Sequence, residues 1–564
     1  MMRIRFTPRR SSCAWLVSLT LAGCTGEAAD SSPVGADGGA SGNPGSGGSG
    51  AIGATGGTGA IGVDAGGSSG SGGAAGQPTT CVQAAQARSY VGCDFWPTVT
   101  FNPVYPNFDF AAVVANAGSE PAQIEVERGG TAIATASVDP GALAEIPLPW
   151  VDALKGPYFG PLTTGGRVKQ SVRVDGGAYH LTSDRPITVW QFNPLEYTLD
   201  PATCAGYFDG EHCLSVSNDA ALLLPSTAMT GAYRFFGRSA VNGGEEYGST
   251  PGAFTITATE DGTNVDVTLT ANLASGPGVA AGSAGETLSF AMNAGDVIEL
   301  LGAWGPFWGD PHSDMSGSVL IADKPVALIA SNPLSNVPDE NSGFADHMEE
   351  TVLPGEALGK RYLVSAPTAP DGRVVGHTLR FYGNVAATTL SYPSGNMPAG
   401  APVTLAAGQV VEIGPVLEPF EVTADQAFAV ASFMLGGQKQ DPAGGDFTTR
   451  GDPAFSMLVT PEQFRTHYTF LAPNDYLENY ADVVLPDGAV VTLDGQPLGG
   501  APEPIGSSGW SVVRVRLGAG REGAHTLDSD KAVGLQVMGF GHATAYYYPG
   551  GLDVKLIAPP PIPG

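Results

Sequence analysis

An all-β fold is what this sequence predicts, and three observations lead there. The first is composition: 80 glycines and 45 prolines among 564 residues, with only 14% charged, favour short strands and turns over long helices. The second is patterning, because apolar residues recur at period two in short runs bounded by Gly, Pro, Asn and Asp. The third is repetition. The phrase "SDRPITVW" from Ser183 returns as "ADKPVALI" from Ala322, "ADQAFAVA" from Ala424 and "SDKAVGLQ" from Ser529.

Residues 1–23 read as an export signal, since Arg3, Arg5, Arg9 and Arg10 precede the apolar run from Ala14 to Leu21. The run ends in Leu21-Ala22-Gly23-Cys24, which resembles the bacterial lipobox, so Cys24 is the predicted lipid attachment site; an ordinary signal peptide with a chance cysteine is the other reading. No later stretch approaches the roughly 18 apolar residues that a spanning helix needs. The membrane is therefore expected to be met through the lipid alone, at the bacterial outer membrane or cell surface. Residues 24–80 are a low-complexity Gly/Ser tract. They predict a flexible tether with an r.m.s. reach of about 40 Å. Its Gly66-Gly67-Ser68-Ser69-Gly70 fits the serine-hydrolase pattern by accident, because that chemistry needs a strand-to-helix turn.

Residues 81–564 form the predicted binding domain. Cys81, Cys93, Cys204 and Cys213 lie in it, and an even set in an exported chain predicts two disulfides. Three pairings are possible; the local ones, Cys81 with Cys93 and Cys204 with Cys213, are preferred because Cys204–Cys213 closes a Gly-containing polar loop. A zinc site is the competing reading, although neither pair has the spacing of a zinc knuckle. The formal charge of −29, or −33 without the leader arginines, repels nucleic acid and anionic lipid and disfavours them as partners.

Within each repeat the phrase predicts a strand, a tight corner and a second strand. The corner falls at Asp184, Asp323, Asp425 and Asp530, whose side chains bond readily to nearby backbone in turns. Gly-led alternating runs precede it, such as "NAGDVIELLG" from Asn293 and "SSGWSVVRVRLG" from Ser507. Further upstream, "FTITATEDGTNVDVTLT" from Phe254 predicts a hairpin about Asp261-Gly262, with "LRFYGNVAATTLSY" from Leu379 and "DVVLPDGAVVTLDG" from Asp482 in the same place. After the corner, Pro225, Pro354 and Pro461 precede Tyr233, Tyr362 and Tyr468 by eight, eight and seven residues.

The four aspartates are 139, 102 and 105 residues apart, so each repeat must hold about eight strands. Two architectures fit: a seven- or eight-bladed propeller-like ring, or β-sandwiches in tandem. The ring is preferred, because no Gly/Ser tether separates the repeats. It could close by pairing "TVTFNP" from Thr98 with "ATAYYYP" from Ala543.

Taken together, "ATEDGTNVDVT" from Ala258, the Leu-Pro…Tyr element and the Asp-Lys-Pro-Val phrase resemble the N-terminal region of the IgGFc-binding protein family. The resemblance spans roughly residues 81–558. It implies an extracellular binding or adhesion module without known catalysis, and it transfers no binding residue onto this sequence.

No local motif predicts catalysis, a cofactor or a metal. The histidines, His180, His212, His312, His347, His377, His467, His525 and His542, include no helical metal pair. His180 and His525 sit alike before the corner and read as packing residues. The acidic stretches "VPDENSGFADHMEE" from Val337 and "NDYLENYAD" from Asn474 have Ca²⁺-compatible chemistry but read as solvated loops. The expected function is non-catalytic binding of an extracellular protein or glycan. A secreted glycan-active hydrolase is the alternative, since paired carboxylates leave no local spacing to read.

Overall fold

The structure is a computed structural model, described here for residues 77–158, 168–204, 212–239, 250–304, 313–339, 342–445, 448–473, 475–518 and 524–563. The leader, Cys24 and the tether up to residue 76 lie outside these. The chain is all-β, as its composition predicts, and the four phrases lie at its organising strands: His180–Asn193, Val319–Ser335, the pair Phe420–Ala424 and Phe428–Met434, and Ala524–Gly541.

Each long strand serves two antiparallel sheets. The first half of His180–Asn193 runs between Gly92–Phe95 and Ala122–Arg128, and its second half between Phe110–Ala115 and Asp219–Leu222. Val319–Ser335 does the same, with Thr230–Arg234 and Thr263–Thr268 on its first half and Ala253–Ala258 and Asp346–Thr351 on its second. In the third repeat, Phe420–Ala424 lies between Arg361–Val364 and Thr388–Ser391, and Phe428–Met434 between His377–Gly383 and Phe455–Met457. Ala524–Gly541 completes the set with Arg465–Leu471 and Val491–Leu493, then Glu478–Pro486 and Thr544–Pro549. The Gly-led alternating runs supply a further strand of each second sheet, for example Val297–Leu301 between Ala253–Ala258 and Val172–Val174.

The two sheets of a repeat face each other. In the third, Tyr362, Leu390 and Val422 of one sheet meet Phe381, Ile413 and Val430 of the other in a single buried cluster. Each repeat is thus a β-sandwich of two facing antiparallel sheets joined through its long strand or strand pair. The strands that follow the long ones, Asp219–Leu222, Asp346–Thr351, Phe455–Met457 and Thr544–Pro549, pack on one another in a closed circuit, the fourth returning to the first. One buried apolar cluster runs through all four sandwiches, from Trp190 through Leu328 and Phe433 to Tyr548. Both expected architectures find a counterpart: sandwiches as units, and a ring in how the units meet.

Three local expectations are corrected. Ala253–Ala258 and Thr263–Thr268 form no hairpin, because each pairs with a different half of Val319–Ser335. The Asp261-Gly262 link, with Gly262 at φ +66°, crosses between the sheets instead. The links after His377–Gly383 and Glu478–Pro486 do likewise. The corner at the aspartate is not a turn in the first, second and fourth repeats but a bulge within a continuous strand. The pairing of Val319–Ser335 with Thr230–Arg234 jumps between Ile321 and Val326, and matching jumps occur in the first and fourth repeats. Extra residues on one strand re-aim it, and here they pass it from one sheet to the other.

The third correction concerns closure. Thr98–Pro103 does not pair with Thr544–Pro549, which is laddered to the fourth long strand. Thr98 N–H donates to Gln191 Oε1 (2.9 Å), Gln191 Nε2 donates back to Thr98 O (3.0 Å), and Phe101 N–H donates to Glu299 Oε1 (2.8 Å). A buried amide needs a partner of any kind, and side chains supply it here in place of a ladder. The domain's ends meet elsewhere: Tyr90 N–H donates to Leu552 O (3.1 Å) and Val554 N–H to Arg88 O (2.7 Å).

Candidate functional site

The aspartates of the phrase share one job. Asp184 Oδ1 accepts from Gln123 N–H, Asp323 Oδ1 from Asn264 N–H and Asp530 Oδ1 from Val490 N–H, each at 2.8 Å, and Asp425 Oδ1 from Thr389 N–H at 2.7 Å. The donor is the amide at or just before the start of the repeat's neighbouring strand, not the local turn backbone that the sequence predicts. There the ladder to that neighbouring strand ends as the long strand passes to the other sheet, and the carboxylate receives the amide. The four carboxylates lie in separate sandwiches and do not converge.

The Leu-Pro…Tyr element locks onto the same crossing between sheets. Tyr233 OH donates to Val326 O (2.8 Å), Tyr362 OH to Phe428 O (2.6 Å) and Tyr468 OH to Val533 O. Each acceptor lies three residues beyond its aspartate. In return the hydroxyls accept from the amides of Thr230, Gly359 and Arg465. The first sandwich carries Phe95 at this register, opposite Leu181. A disulfide joins Cys81 to Cys93 there, and a second joins Cys204 to Cys213, so the local pairings hold and these four cysteines offer no thiol to zinc.

His180 and His525 do not meet. His180 Nε2 lies 2.8 Å from Asp94 and its ring stacks on Trp96 at 4.2 Å, whereas His525 Nδ1 lies 2.8 Å from Asp494 in the fourth sandwich. The first acidic stretch is not a solvated loop throughout. Asp346, His347, Glu349 and Glu350 are buried in a central strand. There Glu349 accepts from Thr100 Oγ1 (2.8 Å), Gln191 Nε2 (3.1 Å) and Asn193 Nδ2 (3.1 Å), and Asp219 accepts Glu349 N–H (2.9 Å). Burial pushes the carboxyls of Asp219, Glu299, Asp346, Glu350 and Asp452 well above their ordinary range. Among the described residues, no three His, Cys, Asp or Glu side chains converge in a metal-ligating group.

An open cleft of about 390 Å³ is lined by residues of the third and fourth repeats, Asp371, Arg450, Glu478, Tyr480, Arg514 and Arg516 among them. The pairing of Glu478–Pro486 with Trp510–Arg516 sets Tyr480 opposite Arg516 and Asp482 opposite Arg514. Directly opposed residues share a face, so both arginines look one way. Arg516 is 62% exposed and donates to Glu478 through Nε (2.7 Å) and Nη2 (2.6 Å). Arg514 is deeper, at 15% exposed, and pairs with Glu503. Its buried Nε has no hydrogen-bond partner and stands 3.9 Å from Asp482. Burial pushes the Asp482 carboxyl up to about 6 against the pull of Arg514, while Thr368 donates to it through N–H (3.1 Å) and Oγ1 (2.7 Å). Gly372, at φ +82°, closes a tight loop over the cleft by donating to Ala369 O (2.8 Å), and Tyr480 OH donates to Pro370 O (3.3 Å).

Sequence reasoning missed this cleft. Its visible signal is the alternation in "VVRVRL", where Arg514 and Arg516 fall on one face of a strand, on a chain of formal charge −29. Glu478 and Tyr480 lie inside the second acidic stretch, which reads as a loop from sequence and is largely a strand in the structure.

The described residues thus form four β-sandwiches packed in a circuit, with an open, charged cleft on the third and fourth. The chain belongs to the IgGFc-binding protein family, whose model matches residues 219–539, from the strand that closes the first sandwich to the end of the fourth long strand. That family is one of extracellular binding domains. No curated protein matches the chain. Among solved structures, an anti-sigma factor domain-containing protein from Clostridium clariflavum is 12% identical, covering 58% of this chain and 92% of its own, with a TM-score of 0.11. A second anti-sigma factor domain-containing protein is 11% identical, covering 54% of this chain and 86% of its own, with a TM-score of 0.10. Scores at that level carry no argument about this fold.

Proposed function

We propose that this chain is a lipid-anchored bacterial surface protein whose ring of sandwiches binds an extracellular protein or glycan without chemical turnover. The observation that carries the reading is the family match across the second to fourth sandwiches. Supporting it are the lipobox-like Leu21–Cys24 and the Gly/Ser tract behind it, which would hold the domain off the outer membrane at the tether's reach.

The test has two arms. Mass spectrometry of the wild-type protein should find a lipid-modified Cys24, and Cys24→Ser should abolish it; an unmodified mature Cys24 would overturn anchoring. The exported chain, screened against surface proteins and a glycan array, should retain a ligand that it releases unchanged. Turnover of a bound glycan would replace the binding reading with hydrolysis.

A further inference from the structure

We infer that the cleft lined by Arg450, Arg514 and Arg516 is a subsite for a carboxylate-bearing sugar residue, a uronate or a sialate, at the end of a glycan. The inference deepens the binding reading above and rests on it.

The charge pattern comes first. On a chain of formal charge −29, an anion is repelled from most of the surface, whereas this cleft gathers three arginines, each balanced by one carboxylate, Arg450 by Asp441, Arg514 by Glu503 and Arg516 by Glu478. Arg516 is the most accessible of them, at 62% exposed. A guanidinium presents five N–H donors in a planar fork that matches a carboxylate. Glu478 engages Nε and Nη2 of Arg516, which leaves donors for a second carboxylate.

The lining is mixed, and this selects among anions. Asp371, on the loop, and Glu478, on the strand, put acceptors beside the arginines. A polyanionic peptide meets those two carboxylates as well as the net charge of the chain, and like charges in one site are unfavourable. A sugar acid carries one negative charge and several hydroxyls. The charge pairs with the guanidinium fork, and the hydroxyls use the carboxylates as acceptors. At about 390 Å³, the cleft lies within the size range of ordinary ligand pockets, which run from roughly 300 to 1,000 Å³, and suits one or two sugar rings.

Titration of the exported chain by calorimetry and ligand-observed NMR tests this. The probes are methyl β-D-glucuronide, the methyl glycoside of N-acetylneuraminic acid, methyl β-D-glucoside as the neutral control, and tetraglutamate. One or both sugar acids should bind at least tenfold tighter than the glucoside, which identifies the source, and tetraglutamate should not compete. Arg516→Gln should reduce the sugar acid to the level of the glucoside with the melting temperature unchanged. Glu478→Gln, which frees Arg516, should tighten binding. Equal binding of glucuronide and glucoside, binding of tetraglutamate alone, or no binding of any probe by the folded chain would each overturn the assignment. An array ligand whose binding is indifferent to Arg516→Gln would sink the subsite while leaving the binding reading intact; an empty array and pull-down would sink that reading.

Discussion

At the scale of single residues, the fold turns on a few polar groups placed where the long strands cross between sheets. The hydroxyl of Tyr362 accepts one backbone amide and donates to one carbonyl, and it is buried. Tyr362→Phe keeps the ring's packing but leaves both backbone groups unmet, so it should cost about 1–3 kcal/mol in denaturant unfolding, without effect on ligand binding. The titrating groups set a pH dependence whose sign follows from their partners. The hydrogen bond to Asp94 raises the pKa of His180, with Glu127 adding to it against desolvation. Its contribution is complete below its unfolded value near 6.5 and is lost as pH rises through the higher folded value. His180→Phe, which retains an aromatic face against Trp96, should flatten the fall in melting temperature above about pH 6.5. Asp482 acts in the same direction at lower pH. Its carboxyl, pushed up to about 6 by burial, stabilises most below about pH 4 and loses about 3 kcal/mol of that by pH 7. Asp482→Asn should remove that part of the slope. His377 opposes both: burial lowers it to about 3, so its contribution is complete above about 6.5 and fades as pH falls.

At the scale of elements, a strand on each side of the phrase was legible, and the continuity and partners of those strands were not. The phrase gave away its position because period-two apolar runs on both sides of Asp-X-Pro can only be strand, and the Gly-led runs read as strands for the same reason. Partner choice was hidden, since local turn chemistry at Asp261-Gly262 is identical whether the next strand folds back or crosses to the facing sheet. What decides is the long strand, which sits between the two and is distant in sequence. The bulge was hidden too: a β-run interrupted by Asp-Lys-Pro looks like a corner unless the first strand of the sandwich is known to lie opposite. Gly231 lies on that opposing strand, and a Cβ there would come within 2.2 Å of Ala322 O. Backbone cannot swing aside as a side chain can, so Gly231→Ala should destabilise the second sandwich by about 1–3 kcal/mol. Hydrogen exchange would show it as faster exchange of the Thr230–Arg234 amides.

At the scale of the whole molecule, the sandwiches share one interior. Thr544 of the fourth accepts from Asn218 N–H of the first (3.2 Å) and lies 3.4 Å from Asp346 of the second, and the apolar cluster is continuous through all four. Calorimetry should therefore record one cooperative transition, and alanine at Asp184, Asp323, Asp425 or Asp530 should lower that same transition. Four separable transitions, each answering to its own aspartate, would show that the sandwiches fold as independent modules. The repeat period made the number of strands readable, but not the circuit at the centre. The residues that build it, Asp219, Asp346, Glu349 and Thr544, are polar and look like surface in a linear sequence; their burial follows only once four sandwiches converge. The cleft escaped for a related reason, since Arg514 and Arg516 belong to one strand while Arg450 and the loop at Asp371 belong to another sandwich.

The disulfide that brackets the join between the ends of the domain also fixes how it bears a mechanical load. A pull on the chain ahead of Cys81 does not unwind the helix Cys81–Ala87 first, because the Cys81–Cys93 bond carries the force past it into the strand Gly92–Phe95. That strand lies in the first sandwich, while Arg88 and Tyr90 are tied to Val554 and Leu552. Force entering there passes into the first repeat, and the Arg88–Tyr90 join to the last repeat stays shielded inside the disulfide loop. Single-molecule stretching should show an unfolding force that drops when the disulfide is reduced, as the helix and the Arg88–Tyr90 join then become the first elements to yield.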